Sequence, residues 1–152
     1  MTIKAKYVHT NLIAEDWRSL ARFYQEVFGC IPIPPERDFQ GEMIEAGTGI
    51  PGVRLQGIHL RLPGYEDFEP TLEIFSYSPK ADRASTAVNR PGFSHIAFQV
   101  DDVSAGRVAF LAAGGRPIGD VVTLKIATGD MVTWCYLTDP EGNLIELQSW
   151  DK

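Results

Sequence analysis

The chain contains an internal repeat, and this feature limits the folds open to it more than any other. The first copy reads HTNLIAEDWRSLARFYQEVFG and begins at His9; the second reads HIAFQVDDVSAGRVAFLAAGG and begins at His95. In each copy a glycine follows the histidine by 20 positions, and Asp16 in the first copy falls opposite Asp102 in the second. The repeat predicts two modules of the same fold rather than one irregular domain.

Each copy begins with alternating residues typical of a strand and continues with apolar residues at helical spacing. Asp16 can cap the first helix, with Leu20 and Val27 on its buried side, and Asp101 or Asp102 can cap the second. On the second helix we expect the buried residues to be Val108, Leu111 and Ala112. Strand-like runs follow near 39–46, 53–62 and 70–77, and again near 117–124, 130–138 and 143–149, with the turn DPEGN at 139–143.

These elements predict an α+β fold of two tandem βαβββ modules in one domain spanning 1–152. Module one covers residues 4–78 and module two covers residues 93–150. A polar linker, residues 79–92, contains Pro and Gly and joins them.

Composition narrows the function. The net charge is −6, which argues against a nucleic-acid backbone as partner. The amino-terminal residues lack the apolar core of a secretory signal, and no apolar run approaches the length that spans a bilayer. The two cysteines lie far apart and predict neither a disulfide framework nor a zinc-knuckle spacing. We therefore expect a cytoplasmic protein that binds neither nucleic acid nor a membrane.

Each module also places a histidine on its first strand and a glutamate on its last. These residues are His9 and Glu73 in module one and His95 and Glu146 in module two. A buried carboxylate is costly unless it is paired, hydrogen-bonded or bound to metal. The alternative for each residue alone is a satisfied core histidine or a solvent-facing glutamate. The repeated pattern favours four ligands to one divalent cation, Zn, Ni, Co, Mn or Fe(II).

Residues two positions from a ligand share its face of the strand and are candidates for a substrate pocket. Three of them, Asn11, Phe75 and Gln148, form the candidate substrate-binding set together with Trp134, an aromatic residue of the neighbouring strand. His59 lies in a strand run but has no repeat partner in the second copy, so we expect at most a peripheral or substrate-facing role for it and favour a structural one.

Four segments, VHTNLIAEDWRSLARFYQEVFG, PTLEIFSYS, GFSHIAFQVDDV and TDPEGNLIELQS, resemble the vicinal oxygen chelate superfamily. That superfamily includes glyoxalase I, methylmalonyl-CoA epimerase, extradiol dioxygenases and antibiotic resistance proteins. The resemblance implies curved mixed sheets around a metal-binding cavity, with His9, Glu73, His95 and Glu146 as ligands. The glutamate at the second ligand position, Glu73, is the residue type that resembles the ligand set of glyoxalase I.

The resemblance also implies a reaction. A metal that chelates two oxygens of a small substrate makes a proton α to a carbonyl removable, and Glu73 or Glu146 is the candidate base. The protein would then be a metal-dependent lyase, isomerase or epimerase. An Fe(II) extradiol-type dioxygenase, which would use only His9, His95 and Glu146, and a non-catalytic antibiotic-binding protein remain alternatives. We expect a homodimer.

Overall fold

The computed structural model describes residues 1–151, which form three helices and nine strands. These residues divide into two compact units. The first unit is Met1–Asp82, and the second unit begins at Arg83. The division falls within the polar segment 79–92, in which the structure has neither helix nor strand.

The first unit is a four-stranded mixed sheet with a long helix. Its elements are β1 (His9–Ile13), α1 (Trp17–Phe28), β2 (Ile31–Gln40), α2 (Glu42–Thr48), β3 (Arg54–Arg61) and β4 (Thr71–Ser78). The strands lie in the order β1-β4-β3-β2. Strand β1 is parallel to β4, and the other neighbours are antiparallel.

The second unit repeats this arrangement. Its elements are β5 (His95–Gln99), α3 (Val103–Ala112), β6 (Arg116–Pro117), β7 (Val122–Lys125), β8 (Met131–Thr138) and β9 (Leu144–Asp151). The main path is β5-β9-β8-β6, and β7 also pairs with β8. Strand β5 is parallel to β9, as β1 is to β4. The predicted α+β fold of two related modules is confirmed.

Both long helices begin where the sequence predicts. The Asp16 carboxylate accepts the backbone N–H groups of Arg18 and Ser19, and Asp102 accepts that of Ala105. Gly29 ends α1 in the left-handed conformation with φ 69°, which residues with a side chain rarely adopt. The aspartates therefore set equivalent starting points for the two helices.

Alternation along the last strand of each unit separates the core from the face that carries the glutamate. In β4, Leu72 and Ile74 are fully buried on one side, and Glu73 projects from the other. In β9, Ile145 and Leu147 are buried and Glu146 lies on the opposite face. In each unit the long helix packs on the two strands at the middle of the sheet. The glutamates are thus fixed on the sheet face away from the apolar core residues.

Three local predictions were wrong. The expected strand near 39–46 is the end of β2 followed by α2, because the chain turns at Gly41, where φ is 102°. The expected strand near 117–124 is divided into β6 and β7, which both pair with β8. On α3 the deeply buried residues are Val103 and Phe110, whereas Val108 is 69% exposed.

Candidate metal centre

A row of three polar side chains crosses the sheet of the first unit. Glu73 on β4 is directly opposite Asn11 on β1 and His59 on β3. Directly opposed residues project from the same face of a sheet, so these side chains meet beside the Glu73 carboxylate. His9 lies two residues before Asn11 on β1, on the same face of the sheet and opposite Thr71.

The Glu73 carboxylate has a partner on each oxygen. Asn11 donates its amide N–H to Oε1 at 2.6 Å, and His59 Nε2 lies 2.7 Å from Oε2. His9 Nε2 is 3.9 Å from Oε1. The Glu73 side chain is only 13% exposed, so these polar partners offset the cost of removing its charge from water.

His59 is held on both sides of its ring. Its Nδ1 lies 3.0 Å from the hydroxyl of Thr71, which is buried. Burial lowers the pKa of His59; Glu73 opposes this change, and Arg37 and His9 add to it. The imidazole is therefore neutral at pH 7, and its contact with Glu73 is a hydrogen bond from a neutral ring. Neutral imidazole is also the form that binds metals.

The second unit has a corresponding pair with different neighbours. His95 Nε2 lies 2.8 Å from Glu146 Oε2, and the Glu146 side chain is 16% exposed. Here the row across the sheet is Ala97, Glu146 and Tyr136. Burial, and then the charge of Glu146, raises the pKa of Tyr136, so its phenol keeps its proton.

Aromatic rings line this face of the second unit. The Tyr136 ring centroid is 5.0 Å from that of His95 and 4.9 Å from that of Trp134. Trp134 is directly opposite Gln148, whose side-chain oxygen accepts the indole N–H of Trp150 at 2.8 Å. Trp134 and Gln148 therefore lie on the same sheet face as the His95–Glu146 pair.

In the first unit the aromatic residue of the corresponding row is Phe75 on β4, at the position that Gln148 holds on β9. Phe75 is opposite Gly57, and a side chain at position 57 would overlap the Phe75 ring. The His59 and Phe75 ring centroids are 6.1 Å apart and nearly perpendicular. Phe75 thus packs beside the cluster, whereas Asn11, the other predicted substrate-binding residue of this unit, contacts the Glu73 carboxylate itself.

From the sequence we expected His9 to act with Glu73 and His95 with Glu146, and we expected at most a peripheral or substrate-facing role for His59. The structure places His59 Nε2 2.7 Å from Glu73, closer to that carboxylate than His9 Nε2, which is 3.9 Å away. The repeat hid this residue because Tyr136, not a histidine, occupies the same register position opposite Glu146. The pairing of β3 with β4 is the signal that locates His59, and it depends on the turn between those strands.

The first unit's cluster fits a divalent cation by its chemistry and spacing. One nitrogen each of His9 and His59 and one oxygen of Glu73 lie within 4.8 Å of one another. Metal–ligand bonds of about 2.1 Å place neighbouring ligand atoms roughly 3.0–3.4 Å apart, so small side-chain adjustments would complete a site. Two imidazoles with one carboxylate suit Zn, Fe, Co, Ni and Mn.

None of the helices in residues 1–151 is long and apolar enough to cross a membrane.

Comparison with solved structures supports the fold. A glyoxalase family protein from Bacillus cereus is 20% identical, with coverage of 100% of this chain and 97% of that chain and a TM-score of 0.76. A mutant of the fosfomycin resistance protein FosX from Listeria monocytogenes, in complex with Mn(II) and 1S,2S-dihydroxypropylphosphonic acid, is 16% identical. That match covers 97% of this chain and 93% of FosX, with a TM-score of 0.55.

Lactoylglutathione lyase from Agrobacterium tumefaciens is 20% identical, with a TM-score of 0.52 and coverage of 97% of this chain and 95% of the lyase. No curated protein sequence matches the chain. A profile described as "Glyoxalase/Bleomycin resistance protein/Dioxygenase superfamily" matches residues 6–147. Because that match spans nearly the whole chain, the protein belongs to the glyoxalase/bleomycin resistance protein/dioxygenase superfamily.

Proposed function

We propose that the protein is a metal-dependent lyase or isomerase, including epimerases, that moves a proton α to a carbonyl of a small oxygenated substrate. The observation that carries this proposal is the recurrence of one contact. An imidazole Nε2 faces a partly buried glutamate at equivalent positions of both units, His9 with Glu73 and His95 with Glu146. A structural role does not require that the same costly pair occur twice.

These four residues are the proposed metal ligands, with Zn, Ni, Co, Mn or Fe as the candidate ions. A divalent cation bound by them would act as a Lewis acid and acidify a proton next to a substrate carbonyl. Support for a divalent cation and a vicinally oxygenated ligand comes from FosX, which was crystallised with Mn(II) and a dihydroxy compound. The cytoplasmic location remains a prediction from the sequence, and the homodimer remains a prediction from the family resemblance.

Glu146 is the better candidate for the base. Both oxygens of Glu73 are engaged, one by Asn11 and one by His59, which holds that carboxylate in one orientation. His95 Nε2 contacts Oε2 of Glu146 at 2.8 Å. A carboxylate with a less restrained oxygen can accept a proton and rotate to return it. The aromatic rings of Trp134 and Tyr136 beside it would exclude water from the substrate.

A second candidate is an Fe(II) dioxygenase of the extradiol type. The observation that favours it is the two-histidine, one-carboxylate composition of the first unit's cluster, which is the ligand set of many non-haem iron oxygenases. This reaction requires no carboxylate base next to the substrate carbonyl. It therefore predicts O₂ uptake with catechols instead of exchange of a carbon-bound proton.

The test is solvent exchange on the metal-reconstituted protein. Small α-hydroxycarbonyl compounds are incubated in deuterated water with the wild type and with three variants, Glu146→Gln, Glu73→Gln and the surface control Glu42→Gln. We expect exchange by the wild type and the control. Glu146→Gln should lose at least 100-fold in rate while it still binds metal through its amide oxygen, because it lacks the base.

If Glu73→Gln loses the exchange rate by the factor expected for Glu146→Gln, and Glu146→Gln keeps full activity, the base is Glu73. O₂ uptake with catechols and no proton exchange would favour the dioxygenase. Stoichiometric ligand binding without turnover in either assay would favour the binding protein and contradict the proposed function.

A further inference from the structure

We infer that His9, His59 and Glu73 form a three-ligand cation site within the first unit, in which His59 is a metal ligand additional to the repeat-related pairs. This inference rests on the proposed function for the role of the metal. It extends the proposal, because the first unit would retain a cation after the ligands of the second unit are removed.

The geometry of the ligand atoms supports this assignment. His59 Nε2 is 2.7 Å from Glu73 Oε2, and His9 Nε2 is 3.9 Å from Glu73 Oε1. These separations lie on either side of the roughly 3.0–3.4 Å expected between neighbouring ligands of one ion. The rings of His9 and His59 have centroids 5.7 Å apart and are nearly perpendicular, so their nitrogens can converge on one point beside the carboxylate.

Thr71 can hydrogen-bond to His59 Nδ1 whether or not a metal ion is bound to the ring's other nitrogen. Without metal, His59 Nε2–H donates to Glu73, and Nδ1 accepts the Thr71 hydroxyl hydrogen. With metal, Nε2 offers its lone pair to the ion, and Nδ1–H donates to the Thr71 oxygen at the same 3.0 Å separation. A hydroxyl can take either role. Ligating histidines usually have such a partner on the other ring nitrogen, which fixes the ring and its tautomer.

Among its described residues, 83–151, the second unit has no third ligand at the position equivalent to His59. Tyr136 occupies the register position of His59. Ala97 stands where Asn11 holds the Glu73 carboxylate. The two units are thus related in backbone but unequal in ligands. Three ligands from the first unit can hold an ion with the remaining positions open to water or substrate, whereas two from the second bind weakly.

The experiment starts from the double variant His95→Ala/Glu146→Ala, from which the second unit's ligands are removed. Co²⁺ is titrated by calorimetry, and ligated histidines are counted from exchangeable imidazole N–H resonances shifted by paramagnetic Co²⁺. We expect about one ion per chain, weaker than in the wild type, and signals from two histidines. Adding His59→Ala should weaken binding more than 100-fold and leave one histidine signal.

Thr123→Ala in the same double variant is the control, because it changes an exposed strand residue of the other sheet that lies outside the proposed metal and substrate sites; it should leave Co²⁺ affinity unchanged. Circular dichroism checks folding, and His59→Gln replaces His59→Ala if the latter unfolds.

Tight binding by the wild type with no binding by the double variant overturns the inference and leaves the proposed function intact. An unchanged histidine count after His59→Ala also overturns it. Wild-type affinity in the double variant, with no proton exchange by the wild type, supports the first-unit site and contradicts the proposed function.

Discussion

The hydrogen bond from Asn11 to Glu73 gives a direct way to test whether the first unit's carboxylate is oriented for metal. In Asn11→Ala the amide that donates to Oε1 at 2.6 Å is absent, and the carboxylate can rotate away from His9. A hydrogen bond to a charged group contributes about 1.5–3 kcal/mol. Because Asn11 is exposed, water replaces part of the contact, and the lower end of this range applies.

A loss of about 1.4 kcal/mol of binding free energy corresponds to a tenfold larger dissociation constant. This agrees with the roughly 10- to 100-fold effect of removing groups that orient metal ligands. The dissociation constant for Co²⁺ is measured by calorimetric titration into the wild type, Asn11→Ala and the control Gln40→Ala. We expect a tenfold loss in Asn11→Ala alone. An affinity within twofold of the wild type in a folded Asn11→Ala protein would refute the view that this row of side chains orients a ligand.

Two further predictions concern stability. Asp139 is fully buried. Its carboxylate accepts hydrogen bonds from the backbone N–H groups of Glu141 and Asn143 and from the side-chain amide of Asn143. Asp139→Ala should therefore lower the free energy of unfolding by about 3 kcal/mol. Urea titration with an unchanged slope measures this, and a loss below about 1 kcal/mol would show that water replaces these bonds. Burial raises the pKa of Cys30 to about 11, so the thiol resists alkylation at pH 8. Because the thiol ionises at a lower pH in the unfolded chain than in the folded protein, the free energy of unfolding should fall as the pH rises from about 9 to about 11. The Cys30→Ala variant has no thiol at this position, so its free energy of unfolding should fall less over the same interval.

Much of the fold could be predicted because the repeat links local signals to one another. Asp16 and Asp102 each start a helix at the same distance from a strand histidine, and both do so in the structure. The pattern of a glutamate between apolar residues correctly indicated the face of Glu73 and Glu146. These features depend on periodicity and capping, which are local properties of the chain.

Features that depend on strand pairing were less accessible. His59 meets Glu73 only because β3 and β4 pair in one register, and a shift by one residue would turn it to the other face. The chain turns at Gly41 and forms α2 where a strand was predicted, since two neighbouring apolar residues, Met43 and Ile44, suit a short helix as well as a strand. Val108 is exposed because α3 buries Val103 and Phe110 instead, and helical periodicity alone does not select that face.

The most direct test of the account is the metal content of the protein. The wild type is purified anaerobically without chelator, reconstituted with each candidate ion, and analysed by elemental mass spectrometry. We predict about one Zn, Ni, Co, Mn or Fe per chain, with a strong decrease when His9 and Glu73 are both replaced by alanine. The absence of bound metal after reconstitution with every candidate ion would contradict it.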